Sequence, residues 1–111
     1  MGLLKALGFG KNPKSRAYRL ARAKELSGQM IRYVTERQDG QDVVIGRGGS
    51  LSLHGEEFLV HSSGEILLRA KVAELDASDL LSGDGVVLTA PNLEEDGRVR
   101  TMIAYFVYYR K

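Results

Sequence analysis

The chain has 111 residues, no cysteine, no tryptophan and a formal net charge of +2. This length suits one domain with one core and leaves no room for a second. Without cysteine there are no disulfides, thiolate nucleophiles or Cys-based metal sites, and the expected location is a reducing cytoplasm. A hydrophobic content of 43% with 27% charged residues excludes a disordered chain. No apolar run approaches the roughly 18–20 residues that cross a bilayer as a helix.

Charge is unevenly divided. Residues 1–37 hold nine Lys/Arg and two acids, whereas residues 38–111 hold seven Lys/Arg and twelve acids. Two explanations follow: the halves attract each other within one fold, or the basic half is an interaction surface.

In chain order, residues 1–12 read as an arm, with Leu3, Leu4, Leu7 and Phe9 interleaved with Lys5 and Lys11. Glycines and Lys5 interrupt its apolar character, so no signal peptide is expected. Gly2 is followed by Ala6 where N-myristoylation needs Ser or Thr. A single domain is expected over 13–111. Asn12-Pro13 suits a helix start, and Ser15 is a second candidate cap. Leu20, Ala23, Ser27, Met30 and Val34 recur at alternating three and four spacing, which predicts an amphipathic helix over 13–38, ended by Asp39-Gly40. Before Leu20 the apolar stripe gives way to basic residues.

From 41 to 111 the period becomes two. Strands are predicted at Asp42–Ile45, Leu51–His54, Glu57–His61, Ile66–Val72, Val86–Ala90 and Val99–Arg110, with a bend or short helical turn at Leu75–Leu81. The last strand is apolar on both faces, which predicts a central position with the helix covering its second side. The expected fold class is α+β: a long N-terminal helix packed on a strongly bent antiparallel sheet, or on a small partly open β-barrel, of about five or six strands.

No constellation carries catalytic chemistry. Gly46-Arg47-Gly48-Gly49-Ser50 lacks the Lys-Ser/Thr ending of a phosphate loop and is followed by a strand, so it reads as a bend or bulge. His54 and His61 flank one hairpin without a third metal ligand. Asp76, Asp79 and Asp84 miss calcium-loop spacing and read as caps and turn residues. No serine sits in a nucleophile elbow. Hence no catalytic residue, metal or cofactor is expected.

Three pieces carry a family resemblance: the hairpin of Gly49-Ser50-Leu51-Ser52-Leu53 with Phe58-Leu59-Val60, the strand Ile66–Val72 running into Glu74-Leu75-Asp76, and Gly83-Asp84-Gly85-Val86-Val87-Leu88. From Gly49 to about Lys111 the chain resembles a pleckstrin-homology-like or GRAM-like half barrel, although its long helix comes first and no C-terminal helix is evident. It is also similar in style to uncharacterised small bacterial proteins. A helix followed by several short strands further resembles the Sm-like barrel, whose members bind RNA as rings. Neither resemblance assigns a functional residue.

The expected function is therefore non-enzymatic, an interaction or adaptor module. A basic patch of Lys11, Lys14, Arg16, Arg19, Arg22 and Lys24 is the candidate binding surface. Apolar residues beside basic ones suit an anionic membrane surface, giving a peripheral membrane location, or an acidic protein partner. Nucleic acid is the alternative partner. Tyr105, Phe106, Tyr108 and Tyr109 form a candidate interface, including a homodimer through the last strand.

Overall fold

A computed structural model describes residues 15–107. Lys11, Lys14, Tyr108 and Tyr109, and the arm over 1–12, lie outside the described residues. The fold is α+β, with one helix and eight strands among the described residues.

Ser15 caps the helix: its hydroxyl accepts the Tyr18 N–H at 3.1 Å. Helix α1, Arg16–Leu26, turns Leu20, Ala23 and Leu26 inward. The expected continuation to residue 38 does not form, and the helix is short. Gly28 adopts φ +94°, a conformation that ends a helix. The Gly28 N–H then bonds the Leu51 carbonyl at 2.8 Å, Leu51 N–H bonds Gln29 O at 2.9 Å, and Ile31 N–H bonds Gly49 O at 3.0 Å. The chain has already entered sheet pairing at this point. Ile31, Tyr33, Val34 and Thr35 favour a pleated surface, and these contacts outweigh the helical spacing.

The strands are β1 Ile31–Gln38, β2 Gln41–Arg47, β3 Ser50–His54, β4 Glu57–Ser62, β5 Glu65–Lys71, β6 Asp76–Asp79, β7 Gly85–Asn92 and β8 Arg98–Phe106. They form a five-stranded sheet ordered β2-β1-β8-β7-β6 and a three-stranded sheet ordered β3-β4-β5, both antiparallel. The sheets do not close into a barrel. Asp39-Gly40, expected to end a helix, is instead the two-residue turn of the β1–β2 hairpin, with φ of 52° and 80°. Leu75–Leu81, expected as a bend, supplies β6.

The glycine run is where the chain crosses between sheets. Gly49 has φ +133°, and a Cβ there would sit 1.9 Å from the His61 carbonyl oxygen; one at Gly46 would sit 2.4 Å from Ser62 Oγ. Ser62 Oγ donates to the Gly48 carbonyl at 2.5 Å and ties the crossing down. A bulge opposite Val34/Thr35 adds one residue to β2 just before it.

The core lies between the sheets and holds Phe58, Ile31, Leu51, Leu68, Leu88 and Met102, all essentially inaccessible. One buried polar residue joins the layers. Asn92 Oδ1 accepts Arg69 N–H and Glu94 N–H, each at 3.1 Å, while its Nδ2 donates to Leu67 O at 3.1 Å. Helix α1 packs on the 310 turn Val72–Glu74, on β3 and on β6. It therefore closes one open side of the sandwich; the expectation that it covers β8 is corrected.

Candidate functional site

The basic face of α1 meets the acids of β6, at the edge of the five-stranded sheet, and Glu56 in the β3–β4 turn of the other sheet. Arg16 lies 3.4 Å from Glu56, Arg19 lies 3.1 Å from Asp76, and Arg22 pairs with Asp79 and, at 2.9 Å, with Glu25. Arg19 also donates to the Leu75 carbonyl at 2.5 Å. Of the acids read in sequence as caps and turn residues, Asp76 and Asp79 are thus counter-ions of the helix, while Asp84 pairs with Arg32 of β1. The reason is topological: β6 is the last strand of its sheet, and α1 runs beside it. Lys24 is exposed and makes no ion pair among the described residues.

Between α1 and β6 lies a cleft of about 570 Å³, lined by Tyr18, Arg19, Arg22, Leu75 and the whole of β6. Ladder phase fixes which backbone groups face it. Leu80 N–H bonds Gly85 O at 3.0 Å, so Ser78 and Asp76 direct their backbone groups at β7, while Ala77 and Asp79 direct theirs away. Among the described residues no backbone group pairs with that outer edge. The cleft therefore offers two N–H groups and two carbonyls in strand geometry. Its rim is unequal in charge. The arginine side chains are 12% and 17% exposed, whereas Asp76 and Asp79 are 59% and 67% exposed.

A second polar groove lies at the far end of the same sheet. Arg100 Nη2 donates to Glu36 at 2.6 Å and Nη1 to Glu95 at 2.5 Å, and Asn92 Nδ2 reaches Glu95 at 3.3 Å. The hydrogen bonds from Arg100 hold both carboxyls below their ordinary range, against the opposing effect of burial. These groups satisfy one another. No signal in the sequence paired Glu36 with Arg100, which are 64 positions apart.

Other sequence candidates are dispersed. His54 pairs with Glu57 and His61 with Ser50, at opposite ends of the β3–β4 hairpin. No group of three or more potential metal ligands occurs among the described residues. Tyr105 and Phe106 point to opposite faces of β8. Phe106 packs on the core, while Tyr105 stacks on Tyr33 with ring centroids 4.7 Å apart, beside the Arg32 guanidinium. Because β8 is paired on both sides, only its outward side chains are available for contact with another molecule.

Fold and cleft define a small two-sheet α+β protein with a helix beside an unpaired sheet edge. No family model matches the chain, and no curated protein or solved structure matches it. Among the described residues no helix is long and apolar enough to cross a membrane.

Proposed function

We propose that this chain is a non-enzymatic interaction module that takes up an extended segment of a partner protein in the cleft between α1 and β6. The supporting observation is the unpaired edge at Ala77 and Asp79, set in a walled cleft. Strand addition at such an edge draws affinity from main-chain hydrogen bonds and specificity from alternate side chains.

The ion pairs of α1 favour a docking surface away from the basic patch. Arg16, Arg19 and Arg22 are paired with acids of the β part, so docking on an anionic membrane or acidic partner would rest on the exposed Lys24 and on Lys5, Lys11 and Lys14, outside the described residues. Nucleic acid is disfavoured on charge. Residues 15–107 contain all fourteen acids of the chain but eleven of its sixteen Lys/Arg, and a net acidic body repels phosphate.

Selection of displayed random decapeptides on the full chain, followed by amide chemical-shift mapping, tests the reading. The expected outcome is binders that shift Ala77, Asp79 and Tyr18. Failure to obtain binders, or binders that shift only the Tyr33–Tyr105 face, overturns it.

A further inference from the structure

We infer that the segment this cleft accepts is basic: an extended strand presenting Lys or Arg toward Asp79 and Asp76. The inference rests on the strand-addition reading above and adds the chemistry of the partner.

Three features of the cleft point the same way. First, its positive groups are turned inward. Arg19 is bonded to the Leu75 carbonyl and paired with Asp76, and Arg22 is shared between Asp79 and Glu25. An incoming carboxylate would have to displace one of these partners, whereas an incoming cation meets aspartate side chains that are already more than half exposed. Second, the lining carries two arginines and two aspartates, and it is the aspartates that stand out to solvent, so the charge an incoming strand meets first is negative. Third, Tyr18 walls the same cleft and is 43% exposed. A half-exposed aromatic ring beside carboxylates favours a Lys or Arg side chain through its ring face, in addition to the ionic attraction. The exposed cations of α1 do not reverse this balance. Arg16 is paired with Glu56 at the start of the helix, and Lys24 does not line the cleft.

The backbone sets the register. Only Ala77 and Asp79 offer outward groups on β6, and Arg19 already takes the next outward carbonyl, that of Leu75. A partner strand therefore pairs over a short stretch and leaves affinity strongly dependent on side-chain charge. Side chains on an added strand alternate between faces, so cations two residues apart lie on one face of it.

The test uses three blocked heptapeptides, Ser-Val-Xaa-Val-Xaa-Val-Ser, with Xaa as Lys, Gln or Glu, titrated into the full chain and followed by the Ala77 and Asp79 amide signals. The expected order is Lys, then Gln, then Glu, with Lys at least roughly tenfold tighter than Glu at low salt. The gap should shrink at high salt. Asp76→Asn alters a largely exposed side chain and should narrow the Lys-to-Glu ratio without unfolding the protein; Asp79→Asn should narrow it further. Equal binding of all three peptides at the cleft overturns the charge inference and leaves strand addition standing. Tighter binding of the Glu peptide also overturns it. If none of them, and no selected decapeptide, shifts Ala77 or Asp79, both readings fall.

Discussion

The two edges of the five-stranded sheet are blunted by different devices. At β2 the protection lies in the backbone. The two-residue turn makes Gln38 and Gln41 a hydrogen-bonded pair, so Asp42 and Val44 face outward. The bulge then breaks the phase before Arg47, and Asp42 holds Arg37 at 2.7 Å. At β6 the protection is a neighbour: α1 lies alongside, fastened by Arg19 and Arg22. An edge interrupted by its own bulge offers a poor template for another strand. An edge flanked by a helix across a cleft keeps its regular geometry and can accept one. The choice of β6 over β2 as the proposed docking edge follows from this difference, although β2 is longer and exposes Val43 and Val44.

The comparison breaks most severely where β2 leaves its sheet. Gly49→Ala places a methyl group 1.9 Å from a backbone oxygen at φ +133°. Neither atom can move without dislodging β3 or β4, so a loss of about 3 kcal/mol or more is expected. Gly40→Ala is the control: its φ is also positive, at +80°, but nothing lies within 4 Å, and about 1 kcal/mol is expected. Urea unfolding of both variants checks the contrast. Equal losses would show that the close approach at Gly49 is not what fixes the crossing.

Next in size is the support under β2's partner strand. Glu36 lies on β1 opposite Val43 of β2, and its side chain is 11% exposed against 16% for Arg100. Arg100→Met leaves Glu36 without its main partner and should cost about 2 kcal/mol near neutral pH. The sign with pH follows from the lowered Glu36 carboxyl. A carboxyl whose folded pKa is depressed stabilises the fold above its unfolded value of about 4.3, and that stability fades as pH falls through the folded value. The gap between parent and variant should therefore close in acid. A gap that stays constant from pH 7 to pH 3 would dissociate Glu36 from the effect.

Much of this fold was legible in sequence, and the losses have specific causes. Alternation and turn residues located the strands around residues 51–72 and 86–106, because each is bounded by a tight turn and buries one face. The helix start at Ser15 was legible as a cap. Its end was not, because Leu20, Ala23, Met30 and Val34 also fit a helical stripe and only Gly28, with its positive φ, opposed it. The charge asymmetry was visible, but its meaning depended on topology. Whether Arg19 and Arg22 face solvent is settled by β6 lying at the sheet edge, and β6 has only four residues, Asp76–Asp79, without an alternating apolar pattern. The cleft was illegible for the same reason: its walls are far apart in sequence and its binding groups are backbone.

Double-mutant cycles sharpen the contrast in side chains. Arg22 is 17% exposed in its pair with Asp79, whereas Arg37 is 61% exposed in its pair with Asp42. Solvent screens the second pair more, so a coupling of about 0.5–1 kcal/mol is expected for Arg22–Asp79 and a smaller one for Arg37–Asp42. Matching values would mean that the seam at β6 is no stronger than an ordinary surface pair.

The smallest effect concerns hydrogen exchange at the outward amides. Asp42 and Val44 on β2, and Ala77 and Asp79 on β6, have no strand partner among the described residues on their free sides. All four amides should exchange faster than their ladder-bonded neighbours Val43 and Ser78, since exchange there needs no opening of the sheet. Water reaches Ala77 past Tyr18 and the paired arginines, so its amide should exchange somewhat more slowly than that of Val44. Adding the Lys peptide separates the edges: protection should rise at Ala77 and Asp79 and remain unchanged at Asp42 and Val44. Protection at β2 instead would mean that the bulge does not close that edge, and that the regular strand beside the helix is not the one that recruits a partner.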